Sequence, residues 1–267
     1  MKIIIYFFLV ILAIIAIVPF YLVMVNASWP SFDIVSGLKL VPGTSFLENY
    51  FALIEHADIW RSFFNSVFIS IACVILTCYF ATLAGYGFAK YRLKGGKVLF
   101  SIVLASMMLP SQLSIIGFYF LNLRLGLLNT FYPLILPSIA NASAVFFLQG
   151  MIKDTISDSY IEAARIEGAG EFRIFHSIAI PLVSPGIATI GILNFVNSWN
   201  SYMTPLIILS DEKKFTMPIL ISVVKGVYLS NYGAMYMAIF ISVIPIIIIY
   251  CFLSRYIING LTIGGIK

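Results

Sequence analysis

Few residues in this 267-residue chain are of a kind that does chemistry, and they gather in two places. In the polar run 153–181 stand Ser159, Glu162, Ala163, Ala164 and Gly168. Ser159 and Glu162 have the spacing of a capping box and predict a helix start. Gly168 is placed to stop that helix in a left-handed conformation, with Gly170 continuing the turn. The second place lies inside a long apolar stretch, where Asn194, Asn197, Ser198 and Ser201 recur at i, i+3, i+4 and i+7. That spacing predicts one polar stripe on a helix. Trp199, Asn200 and Tyr202 sit beside it and offer an aromatic face and hydrogen bonds to a polar solute. The stripe suits interhelical hydrogen bonding equally well, worth about 0.6 kcal/mol per contact. Both readings stay open at the level of sequence.

Neither place holds a catalytic constellation. His56 and His176 have no metal-ligand neighbours at useful spacing. Cys73, Cys78 and Cys251 fall inside apolar runs without CxxC spacing, as small packing residues do. The nearest approach to a phosphate-binding loop, Gly96-Lys97, has Tyr91 in place of the first glycine and Val98 in place of the hydroxyl. The expectation is a chain that is not an enzyme, has no cofactor and no metal site, and hydrolyses no nucleotide by itself.

The elements that must position these residues follow from composition. Hydrophobic residues make up 61% of the chain and charged residues 10%, with a mean hydropathy of +1.03. A soluble domain carries about 25% charged residues, so the polar surface is too small for a water-facing globule. That excludes a soluble enzyme and a nucleic-acid-binding module. Six apolar stretches, about 3–25, 63–88, 98–121, 129–150, 182–209 and 233–254, reach the roughly 20 residues that a membrane-crossing helix needs. The expected fold is all-α and polytopic in a lipid bilayer. The parts are an N-terminal helix and outer loop over 1–62 and a core domain over 63–267.

Basic residues set orientation. Lys2, Lys90, Arg92, Lys94, Lys97, Lys153, Arg165, Arg173, Arg255 and Lys267 fall on one side, and the other six fall opposite. Both termini and the 153–181 loop are therefore expected in the cytoplasm. No charged side chain lies between Arg61 and Lys90, Lys97 and Arg124, Arg124 and Lys153, or Lys225 and Arg255. Ion-coupled carriers usually need buried ionisable groups, so any energy must come from a partner.

Within the loop, Tyr160, Ile161, Ala163 and Ala164 are expected on one helix face, with Glu162, Arg165 and Ile166 opposite. A second short helix should carry Phe172, Phe175 and Ile178 on one face and end at Pro181. The tail from Gly260 to Lys267, with three glycines, should lack regular structure.

The run Glu162-Ala163-Ala164, then Gly168, Ile178 and Pro181, resembles the EAA signature of ABC importer permeases. Met108-Leu109-Pro110, Leu125-Gly126-Leu127-Leu128-Asn129-Thr130, Ser198-Trp199-Asn200 with Pro205-Leu206, and the tail 260–267 are similar to the sugar-importer branch. The resemblance implies a type I ABC importer permease of six spans in a bacterial cytoplasmic membrane. It implies a second permease, two copies of a cytoplasmic ATPase that bind ATP and Mg, and an extracellular solute-binding protein that delivers a carbohydrate. It makes Ser159, Glu162, Ala163, Ala164 and Gly168 the ATPase-docking residues. Another polar solute (polyamine, amino acid or glycerol phosphate), or a stand-alone channel or carrier, are the competing expectations.

Overall fold

A computed structural model describes residues 2–227 and 231–263, with no strand among them. From the N-terminus come α1 (Lys2–Asn26), α2 (Ser31–Ser36), α3 (Phe46–His56) and the 32-residue α4 (Ile59–Lys90). Then follow α5 (Gly96–Met107), α6 (Ile115–Arg124), α7 (Tyr132–Ile135) and α8 (Ala142–Thr155). The polar loop holds α9 (Asp158–Ile166), α10 (Glu171–Ile174) and α11 (Ile180–Leu182). After it come α12 (Ser184–Trp199), α13 (Met203–Ile208), α14 (Met217–Val227) and α15 (Tyr232–Ile263).

Among the described residues four helical stretches are long and apolar enough to cross a membrane: 2–26, 59–90, 132–155 and 232–251. The expected third and fifth spans are each a bent pair, and counting both pairs as single spans gives six. Proline causes the breaks, because its ring meets the carbonyl four residues back and its nitrogen donates nothing. Pro110 stops α5 and turns the chain 86° into the following helical segment. Pro185 breaks the chain after Leu182, giving a 76° bend. Pro205 would clash with the Ser201 carbonyl, and residues 200–202 are non-helical between α12 and α13. The expected span 182–209 is thus three pieces.

The chain forms two compact units, residues 1–65 with 212–248 and residues 66–211 with 249–267. In the first, the buried Asn49 amide donates to the carbonyls of Ala27 (2.8 Å) and Trp29 (2.9 Å). Gly233 leaves room for it, since a Cβ there would stand 2.2 Å from Asn49 Oδ1. Asn231 accepts from the Ala234 N–H (3.0 Å) and from Ser31 Oγ (3.1 Å), which caps α15 and fixes the start of α2. Gly260 to Ile263 complete α15, contrary to the expected irregular tail, and 264–267 lie outside the described residues.

The second unit is built on α4. Small residues let other backbones approach it closely, as in membrane helix packing generally. Gly85 faces the backbone of Leu148 and Gln149 on α8, and Gly191 of α12 sits over Cys78 and Val74. Thr77 donates to the Ser138 carbonyl (2.8 Å) and Cys73 to the Leu134 carbonyl (3.3 Å). The core then runs through Ala81 and Tyr86 of α4, Leu148 and Ile152 of α8, and on into the polar loop.

Candidate functional site

The loop after α8 is an extension of that core. Ile156 is buried, and Ser157 turns the chain with extended backbone angles while its side chain accepts from the Ser159 N–H at 3.4 Å. Ser157 is therefore the cap of α9, and the Ser159–Glu162 capping box does not form. The helix starts two residues early because of Lys90. Its nearly buried ammonium donates to the Ile156 carbonyl (2.5 Å) and to the Asp158 carboxylate (2.8 Å). Asp158 lies in the first turn, where the helix dipole favours an acid. Its hydrogen bond to Lys90, and next the charge of Lys90, hold its pKa below the usual value.

With that start fixed, Ile161 and Ala164 point into the core, while Tyr160, Glu162, Ala163, Arg165 and Ile166 are exposed. The expected broad face of Tyr160, Ile161, Ala163 and Ala164 is thus corrected to a narrow stripe. The buried stripe is the i, i+3 pair Ile161 and Ala164, neighbours on the helix surface. At the other end Gly168 has φ +82°. The Gly168 N–H donates to the Arg165 carbonyl (3.0 Å) and the Ala169 N–H to the Ala164 carbonyl (2.9 Å). This is a Schellman closure with glycine at C′, as the sequence predicts.

The second half of the loop buries Ile174, Phe175 and Ala179 and leaves Phe172 exposed, its ring 4.0 Å from that of His176. The expected single face of Phe172, Phe175 and Ile178 is not formed. A π-helical turn over Phe175–Ala179 changes the phase of the helix between α10 and α11, and Pro181 lies within α11.

Glu171 joins the two halves. It accepts from Arg165 Nε at 2.7 Å and from the Tyr91 hydroxyl at the end of α4. These two bonds, Arg165 first, hold the Glu171 carboxyl below its ordinary 4.5. Burial, and then the hydrogen bond to Glu171, push Tyr91 up to about 12, so it keeps its proton and remains a donor. A depressed carboxyl stabilises the fold above its ordinary pKa, and that contribution fades as pH falls through the depressed value. Melting temperatures of wild type and Glu171→Gln should accordingly differ at pH 6–8 and converge well below pH 4.5. A gap that persists at the acid end would take the carboxylate out of the clamp.

Nothing in the sequence pattern pairs Lys90 with Asp158, 68 residues on, or Tyr91 with Glu171, 80 residues on. The result is a platform held from beneath by core residues and from the side by two charge-assisted contacts. Outward it presents Tyr160, Glu162, Ala163, Ile166 and Phe172, with Ile166 87% and Phe172 74% exposed. Exposed apolar side chains on a rigid support are what a docking surface needs. Among the described residues no group of His, Cys, Asp or Glu could hold a metal ion.

The predicted polar stripe is shorter than its spacing suggests, because α12 ends at Trp199 and Ser201 falls outside it. Asn194 is half-buried, and its Nδ2 is buried with no partner among the described residues. Asn197 and Asn200 are exposed. Trp199 is 2% exposed and stacks on Phe195 with ring centroids 5.7 Å apart, so it is a core residue and offers no face to a sugar. The structure brings the three asparagines to one end of α12 and sends the tryptophan inward.

This arrangement of bent helices around a core-anchored loop matches known proteins. The chain is 35% identical over 264 residues to the arabinooligosaccharides transport system permease protein AraQ of Halalkalibacterium halodurans, covering 96% of this chain and 93% of that one. It is 31% identical over 263 residues to the diacetylchitobiose uptake system permease protein NgcG of Streptomyces coelicolor, covering 97% and 87%. A crystal structure of a bacterial ABC transporter involved in the import of the acidic polysaccharide alginate superposes with a TM-score of 0.81 at 26% identity, over 96% of this chain and 95% of that one. The family model described as the inner membrane component of binding-protein-dependent transport systems matches residues 80–262. The chain belongs to that family, the membrane-embedded permease subunits of ABC importers.

Proposed function

We propose that this chain is one of two permeases that together form the path for a carbohydrate in an ATP-driven importer. An extracellular solute-binding protein delivers the sugar, and two copies of a cytoplasmic ATPase hydrolyse ATP with Mg. In this reading residues 63–267 are the core permease domain, both termini are cytoplasmic, and the membrane is the bacterial cytoplasmic one. The sugar class is supported by the substrates named for the relatives, which include arabinooligosaccharides and diacetylchitobiose.

The observation that carries the coupling role is the exposure of Ile166 and Phe172 on a loop whose other face is core. Water gains nothing from two large apolar side chains held rigidly outward, whereas a groove on an ATPase does. Glu162, Ala163 and Gly168 belong to the same outward surface, and Ala164 and Ser159 support it from within and at its start. Ile166→Glu leaves the core untouched and should reduce co-purification of the ATPase and solute-stimulated hydrolysis together, with insertion unchanged. Wild-type values of both would move docking elsewhere.

Asn194 and Asn197 are proposed to line the solute path. An amide nitrogen buried without a partner is costly, of order 1–3 kcal/mol, and a hydroxyl-rich solute would supply its acceptor. Asn194→Leu should raise the apparent KM for the sugar several-fold while ATPase attachment is unaltered. If only assembly with the second permease suffers, the amide is interhelical glue.

A further inference from the structure

The segment between α1 and α3 has an unusual surface. Phe32 and Val35 lie at i, i+3 on α2, and Leu38, Leu40 and Val41 follow, all exposed. Leu38 is 72% and Val41 69% exposed, and the only charged groups from 27 to 47 are Asp33 and Lys39.

The backbone of this segment is nevertheless tied down. The Ser45 N–H donates to the Ser28 carbonyl (2.8 Å) and the Gly43 N–H to Ser28 Oγ (2.8 Å), which closes a loop over 28–45. At the apolar tip two aromatic donors satisfy the carbonyls. The Tyr21 hydroxyl donates to Leu40 O at 2.6 Å and Trp29 Nε1 to Val41 O at 2.8 Å. The Lys39 ammonium lies 4.9 Å over the Trp29 ring.

The Tyr21 contact sets a depth. Tyr21 stands five residues before the end of α1, roughly 7.5 Å back along the helix axis. Side chains on a helix lean toward its N-terminus, so Leu40 O lies no nearer the helix end than about that level. The loop leaves α1 and folds back beside it. The apolar run of α1, residues 3–25, is about 34 Å long against a hydrocarbon core of about 30 Å. The level of Tyr21 is therefore inside the acyl boundary.

We infer that residues 32–41 form an interfacial hook, whose apolar tip is immersed in the headgroup and acyl boundary of the leaflet where α1 ends. The occupant of this face is lipid. Carbonyls at that depth must be paired within the protein, and those of Leu40 and Val41 are. Tyrosine, tryptophan and a lysine with its stem alongside are the side chains expected at a membrane interface. Apolar insertion of about 5–10 Å is the depth at which interfacial segments lie. The inference needs α1 to span the membrane and is independent of what the transporter carries.

The test places a nitroxide at Leu38→Cys or Val41→Cys, on a background with C73A, C78A and C251S, in the assembled complex in phospholipid vesicles. Collision with molecular oxygen reports lipid, and collision with a water-soluble nickel chelate reports water. Ile14→Cys on α1 serves as the lipid reference and Glu212→Cys as the water reference. The oxygen-to-nickel ratio at 38 and 41 should exceed that at 212 several-fold and approach that at 14. A ratio like that at 212 would overturn the hook, and protection from both reagents would overturn the lipid assignment in favour of a protein neighbour.

Discussion

Gly168→Val should lower solute-stimulated ATPase activity and ATPase co-purification at least about tenfold, with the chain still inserted in the membrane. The reason lies in the backbone alone. Gly168 has φ +82° and nothing within 4 Å of the position a Cβ would take, so the added side chain meets no neighbour. The cost is that of holding an L-residue in the left-handed region, about 1–2 kcal/mol and more for a β-branched one. A penalty of about 1.4 kcal/mol is already tenfold in an equilibrium. The turn relieves it by opening, which breaks the bonds to the Arg165 and Ala164 carbonyls and swings α9 away from α10. Arg165 then leaves Glu171, and the outward surface loses its shape. Asparagine enters this backbone region more readily than other residues, so Gly168→Asn should retain most of the coupling. Equal damage from valine and asparagine would refute the backbone explanation and point to a partner in close contact with the glycine.

The second large effect is expected inside the membrane. Gly85→Leu should destabilise the permease by about 3 kcal/mol, near the top of the range for overpacking. A Cβ at Gly85 would lie 2.9 Å from Gln149 N, 3.3 Å from Gln149 Cα and 3.3 Å from the Leu148 carbonyl carbon. All three are backbone atoms, so no side chain can rotate away, and α4 and α8 must part. Leu148 and Ile152 of α8 lie in the core beneath the loop, so the separation reaches the docking platform as well. Gly87, two residues on and pointing elsewhere, has open space at its Cβ. Gly87→Ala should be neutral or stabilise by up to about 1 kcal/mol, as expected for replacing a helical glycine. The yield of folded chain and its melting temperature in detergent decide the matter. If leucine is tolerated equally at 85 and 87, the close approach of α4 and α8 is not required.

Much of this was written in the sequence. An apolar run longer than twenty residues has no other stable use than burial in lipid or protein, so the all-helical membrane architecture follows from hydropathy alone. The Gly168 closure is equally local, because only glycine enters the left-handed region without cost, and its place after a helix-length run marks the turn. The prolines at 110, 185 and 205 were visible too, and each breaks a stretch that hydropathy reads as continuous. Hydropathy averages over a window and is blind to one missing N–H.

The tertiary structure decided what depends on partners far along the chain. Ser157 rather than Ser159 caps α9, because Lys90 from another helix holds the Ile156 carbonyl and Asp158. In that helix Tyr160 and Ala163 face outward, and Ile161 and Ala164 pack into a core drawn from distant helices. Trp199 went to the core together with Phe195, on which it stacks, while Asn197 and Asn200 beside it stayed open. Helical periodicity says which residues share a face. Which way the face points is set by long-range contacts, and no local spacing encodes them.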